Sequence, residues 1–125
     1  MSVTRIVAWN VYKGGRCDAV DRIGPLLAVL GSLEPDVVVL SEITVATQRA
    51  WTEALGSIGL PHQLSTVDDC TAEEKYALLI AARAELVAAD RPTDCPFPTR
   101  VLTARLGQLT ITGIHPPWNI EEGGR

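Results

Sequence analysis

Two short apolar runs, each closed by a polar residue, constrain this chain more than any other feature. They are Arg5-Ile-Val-Ala-Trp-Asn10 and Asp36-Val-Val-Val-Leu-Ser-Glu42, of strand length and rich in the β-branched residues that strands favour. Between them Ile23, Leu26, Leu27 and Leu30 recur at the i, i+3, i+4, i+7 spacing of one buried helix face. The unit therefore reads strand, helix, strand, with Asn10 and Glu42 emerging on one rim. Ligands of open α/β sheets gather at such rims. A carboxylate beside an amide is also the kind of oxygen-donor pair that a hard cation such as Mg²⁺ takes.

The rest of the chain completes an α/β pattern. Ala46, Ala50, Trp51 and Leu55 share a face, which predicts a second helix from about Thr44 to Gly56. Tyr76 to Ala82 is a continuous apolar run suited to a central strand, and Glu85 to Ala89 a shorter one expected to pair with it. Three prolines between Arg91 and Pro98 mark a loop. Val101 to Leu106 and Leu109 to Ile114 flank Gly107-Gln108, the pattern of a type II′ hairpin. Pro25 is either the first helical residue after a looped Asp18 to Gly24 or a kink. The expected fold class is α/β: one mixed β-sheet of about six strands with two helices on one face. Val37 to Leu40 and Ala77 to Ala82 are apolar on both parities, so the other face of that sheet would also need cover.

Size and charge narrow the function classes. At 125 residues the chain is one domain, long enough for a single core. With 11 basic and 15 acidic residues it carries a net charge of −4, and Lys13 and Arg16 are the basic residues nearest the rim. A sequence-independent nucleic-acid binder normally shows a basic stripe, so charge disfavours nucleic acid as the partner and keeps small phosphoesters in view. Cys17, Cys70 and Cys95 are odd in number and lack CxxC spacing, which fits neither a disulfide framework nor a zinc site and points to a reducing cytoplasm. The start runs straight into the first strand without a leader pattern, and no run approaches the ~18 apolar residues of a membrane span, so a cytoplasmic chain without membrane contact is expected.

Other polar residues have plainer readings. Asp68-Asp69 and Glu73-Glu74 lie in a loop, where solvated charge is the default. His62 follows Pro61 in another loop without a companion. Gly14-Gly15 lacks the spacing of a nucleotide-binding loop and reads as a turn near the rim. Trp118-Asn119 is substrate-facing or the start of a frayed tail. His115 ends the last strand before Pro116-Pro117, on the parity of Leu109, Ile111 and Gly113, which brings its imidazole toward the same rim.

Three segments together resemble the endonuclease/exonuclease/phosphatase superfamily of metal-dependent phosphoesterases. They are Ile6-Val-Ala-Trp-Asn10-Val, Glu34-Pro-Asp-Val-Val-Val-Leu-Ser-Glu42 and Leu109-Thr-Ile-Thr-Gly-Ile-His115. The resemblance runs the length of these residues but covers only the amino-terminal half of the family domain. It implies half of a four-layer α/β/β/α sandwich, the deoxyribonuclease-like fold, as a single truncated domain over residues 1–125. It implies Glu42 and Asn10 at a Mg²⁺ or Mn²⁺ ion, with Asn10 and His115 as catalytic residues and His115 contacting the phosphate. The family's Asp-x-Asn strand end and its Ser-Asp-His segment, which carries the general base, have no match here. Two expectations follow: a Mg²⁺-dependent nuclease or phosphatase, or a catalytically incomplete remnant or binding module that needs a second polypeptide. A complementing carboxyl-terminal half, or a homodimer stacked through the uncovered sheet face, would be its protein partner.

Overall fold

The strand, helix, strand unit forms as its pattern dictates. In the computed structural model, which describes residues 3–17, 20–91 and 94–116, β1 (Ile6–Asn10) is followed by a ribbon of two short strands, β2 (Arg16–Cys17) and β3 (Val20–Asp21). Then come α1 (Ile23–Ser32) and β4 (Val37–Ile43). Pro25 lies in the first turn of α1, where its missing N–H has no intrahelical partner to lose. β1 and β4 pair in parallel from Ile6 opposite Val37 to Asn10 opposite Ser41, which sets Asn10 one residue from Glu42 across the pair. β1 is an edge strand whose residues alternate between exposed and partly buried.

The second helix starts later than the apolar spacing predicts, at Gln48, and runs as α2 (Gln48–Ser57). Thr44 and Thr47 explain the delay. Each backbone N–H donates to the other's hydroxyl at 3.2 Å, so the side chains offer these amides an alternative to helix. His62, expected in a loop, opens β5 (His62–Ser65), which pairs antiparallel with β6 (Ala77–Ala82). β6 also pairs antiparallel with β4, giving a mixed sheet in the order β1-β4-β6-β5.

Because β4 and β5 occupy both edges of β6, no edge remains for the segment at 85–89. It shortens to β7 (Val87–Ala88) and pairs instead with β8 (Val101–Leu106), which continues through the Gly107-Gln108 turn to β9 (Leu109–Ile114). Gly107 has φ +61°, as the first central residue of a type II′ turn requires. The strands therefore form two principal sheets and not one sheet of six. Both helices lie on the far face of the four-stranded sheet, and the order is helices, mixed sheet, second sheet.

Two-sided burial of β4 and β6 follows from this layering. Val38, Leu40, Leu79 and Ala81 face α1 and α2 with Leu30, Trp51 and Leu55. On the other parity Val37, Ile80 and Ala82 pack with Ala104 and Ile111 of the second sheet. Strands covered on both faces read as uninterrupted apolar runs, which is the physical content of the double parity in the sequence. The face on which a stacked homodimer was expected is thus covered within the chain. Gly113 permits the close approach: a Cβ there would sit 3.0 Å from Val39 Cγ1. Among the described residues no helix is long and apolar enough to cross a membrane.

Ile80 measures that cover. It has no exposed surface, so Ile80→Ala is expected to lower unfolding free energy by about 2–5 kcal/mol in urea titrations. A cost below about 1 kcal/mol would mean that the second sheet does not seal this face.

Candidate active site

The rim residues meet because β4 does not end straight. Its register with β6 shifts between Leu40 and Ile43, and Glu42, inside that bulge, adopts φ +66°. A left-handed conformation is unfavourable for a residue with a Cβ, by about 1 kcal/mol or more, and such outliers collect at functional sites. Across the rim Tyr12 and Lys13 are also left-handed, at φ +58° and +51°. Gly14 behind them, at φ +75°, is packed where a Cβ would lie 2.5 Å from Thr47 Oγ1. Its carbonyl accepts the indole N–H of buried Trp51 at 2.9 Å. The Gly14-Gly15 pair is therefore a packed turn anchored to α2.

This turn aims donors at Glu42. The Lys13 backbone N–H donates to Oε1 at 2.9 Å, and Asn10 Nδ2 donates to Oε2 at 3.0 Å. The orientation of the Asn10 amide is fixed from its other side, where the Tyr12 N–H donates to Oδ1 at 2.8 Å. A backbone N–H can only donate, so the amide oxygen must face Tyr12 and the nitrogen must face Glu42. In this arrangement Asn10 orients the carboxylate and its own oxygen is taken.

His115 completes the cluster, just past the end of β9. Its Nε2 lies 3.5 Å from Glu42 Oε2, and the two side chains keep 21% and 16% of their surface open. Behind the imidazole stands Arg100, whose Nη1 is 3.2 Å from Nδ1 and also donates to the carbonyls of His115 and Pro116 at 3.3 Å. A guanidinium cannot accept, so Nδ1 is the acceptor and the neutral ring carries its proton on Nε2, toward Glu42. Arg100 is steadied in turn by Glu74, with Nε 3.2 Å from Oε1. Burial, then the Arg100 cation, pushes the His115 pKa down, against the smaller opposing pull of Glu42 and Glu74.

Asn10, Glu42 and His115, the three residues singled out in the sequence, are thus brought together. Arg100 and Glu74 were not anticipated. Glu74 read as part of a solvated acidic run, and its neighbour pair is no different: Asp69 lies 3.0 Å from Arg91. The signal for Arg100 was the hairpin register, since Val101 opposite Ile114 places Arg100 opposite His115, and the His115 N–H donates to the Arg100 carbonyl at 2.9 Å. Trp118 and Asn119 lie outside the described residues.

Among the described residues no three His, Cys, Asp or Glu side chains converge as a metal cage. The donor set still fits Mg²⁺, which usually keeps several waters and binds through one or two carboxylates together with substrate phosphate. Glu42 would be the protein ligand. Asn10 would hold it in place, in the manner of the hydrogen-bond partners that orient ligating carboxylates.

Comparison with solved structures identifies the fold. An AP endonuclease from Archaeoglobus fulgidus superposes with TM-score 0.65 and 14% identity over 90% of this chain and 41% of its own. An endonuclease/exonuclease/phosphatase from Beutenbergia cavernae gives 0.59 and 21% over 90% of this chain and 38% of its own. TDP2 from D. rerio, in complex with single-strand DNA product, gives 0.56 and 19% over 87% of this chain and 43% of its own. The chain spans about two fifths of the length of these proteins. No protein-family model matches it, and no match was found among curated proteins. The α/β/β layering described above is therefore part of the deoxyribonuclease-like fold, shared with nucleases and phosphatases of that superfamily.

The lowered His115 pKa has a measurable sign. An unfolded histidine titrates near 6.5, so below that pH the unfolded chain takes up a proton that the folded chain resists. This contribution to stability is present above about pH 6.5 and is lost as pH falls through the window below it. NMR titration of the His115 ring should give a midpoint below 6.5, and Arg100→Gln should raise it.

Proposed function

We propose that this chain carries the metal and phosphate portion of a phosphoesterase site, that of a Mg²⁺-dependent (or Mn²⁺-dependent) nuclease or phosphatase acting on phosphodiester or phosphomonoester bonds. The observation that carries the reading is the clamp on Glu42: a strained strand bulge presents one carboxylate to Asn10, to the Lys13 amide and, at 3.5 Å, to His115. The shared fold supports the general class.

Each residue then has a task. Glu42 would hold the ion, and Asn10 would keep the carboxylate from turning away. His115, with its proton on Nε2, would donate to a phosphate oxygen lying beside Glu42, and would stabilise the charge that develops there. Arg100 holds the ring in that tautomer. The ion, when bound, supplies polarisation of a phosphoryl oxygen and stabilisation of the leaving oxygen.

A second reading is favoured by one observation: the family's Asp-x-Asn and Ser-Asp-His segments have no counterpart in these 125 residues. In it the chain is a catalytically incomplete remnant or binding module, and a second polypeptide supplies the base. A general base is commonly worth about 10²–10⁴ in rate, and groups that act as a unit are lost together. A reducing, cytoplasmic setting belongs to the same proposal, supported by free thiols at Cys70 and Cys95.

Metal binding and turnover separate the readings. Calorimetry should detect Mg²⁺ or Mn²⁺ binding that Glu42→Ala abolishes and Asn10→Ala weakens by about tenfold. Equal binding by Glu42→Ala would remove the central assignment. The chain alone should cleave plasmid DNA or a generic phosphodiester no faster than a metal-only control. Robust turnover that vanishes in His115→Ala would instead show that these residues suffice for catalysis.

A further inference from the structure

Beside the Glu42 clamp lies a cleft of about 310 Å³ whose walls include Lys13 and Lys75. These are the chain's two lysines; its other nine cationic side chains are arginines. A lysine presents a compact charge with three donors and is a common phosphate binder. That both should line one cleft, in a chain of net charge −4, places two compact cations beside the site. The cleft and the clamp are physically joined: the Lys13 amide donates to Glu42 Oε1, and Thr44, which lines the cleft, follows Glu42 by two residues.

The loop that carries Lys75 is held shut. The Thr71 N–H donates to the Glu74 carbonyl and the Glu74 N–H to Thr71 Oγ1, both at 2.9 Å, and Cys70 Sγ donates to the Lys75 carbonyl at 3.6 Å. Two of the four carboxylates of this segment are engaged elsewhere, Asp69 by Arg91 and Glu74 by Arg100. Among the described residues no carboxylate pairs with the exposed Lys75 ammonium. Burial pushes the Cys70 thiol pKa up, so it lines the cleft as a neutral group. Besides Thr44 and Thr71 the remaining wall is apolar or aromatic, with Val45, 66% exposed at the surface, and Tyr76.

We infer that this cleft binds a second phosphate of the substrate, and that the substrate class is a small ester with an apolar body bearing two phosphate groups, one at Glu42 and His115 and the other at Lys13 and Lys75. The inference rests on the phosphoesterase reading and extends it. The cleft's volume lies at the small end of the range for small-molecule sites, about 300–1,000 Å³, and a net charge of −4 disfavours a polyanionic strand as the ligand.

The test is calorimetric titration of the full chain in Mg²⁺ at 0.15 M salt with two probes of the same body, naphthyl phosphate and naphthalene bisphosphate, salt at that level screening distant charge. Wild type should prefer the bisphosphate by about tenfold, the scale of one charge-assisted hydrogen bond. Lys75→Gln should remove most of that preference. Arg105→Gln, which deletes a charge on an exposed position of β8, should keep it. Equal affinity for the two probes in wild type, or a preference that survives Lys75→Gln, overturns the inference and leaves the phosphoesterase reading standing. Failure to bind either probe overturns both. Tighter, Lys75-dependent binding of a short oligothymidylate overturns the small-ester assignment, because the cleft would then take the next phosphate of a strand.

Discussion

Everything in this molecule depends on burying the β4 and β6 pair on both faces. Val38, Leu40, Leu79 and Ala81 are sealed by the helices, and Val37, Ile80 and Ala82 by the second sheet. A strand pair with no solvent face fixes its register strongly, since a one-residue slip exchanges the whole set of side chains between two differently shaped cores. That fixed register carries β1 alongside β4 and makes the end of β4 a defined point in space. Only against such a rigid reference can a bulge at Leu40 to Ile43 turn Glu42 out in one direction.

The site depends on backbone as well as on side chains. Lys13 and Tyr12 contribute N–H groups, made available by two consecutive left-handed residues and by a glycine wedged against Thr44 and Thr47. The strain in these residues and in Glu42 is held by packing around Trp51, whose indole ties the turn to α2. Side chains then act in series: Glu74 holds Arg100, Arg100 sets the proton of His115, and His115 faces Glu42. Connected polar side chains in such a partly buried setting are worth more as a unit than as separate pairs. The residue that chooses the tautomer is Arg100, which would touch neither ion nor phosphate.

Solved relatives of this fold are more than twice as long as the chain, at identities from 14% to 21% for those compared. What is shared at that distance is the layering, which is a matter of apolar pattern and strand geometry. Local side chains are not fixed by that layering, and here two lysines are gathered at one cleft of an acidic protein.

The sequence by itself determined the strand, helix, strand unit, the doubly apolar central strands, the type II′ hairpin and the rim positions of Asn10, Glu42 and His115. All of these rest on local periodicity or on a polar residue closing an apolar run, which a linear reading can see. It did not determine which strand edges would be filled. The segment at 85–89 has the composition of a partner for β6, but β5 reaches that edge first, so the strands divide into two sheets and the second seals the first. Nor could it show the Glu74, Arg100 and His115 relay or the meeting of Lys13 with Lys75, because these residues are brought together by strand pairing and loop closure across 15 to 62 positions of chain. Tertiary structure alone decided them: a hydrogen bond or a shared cleft depends on separation in space, and separation along the chain does not encode it.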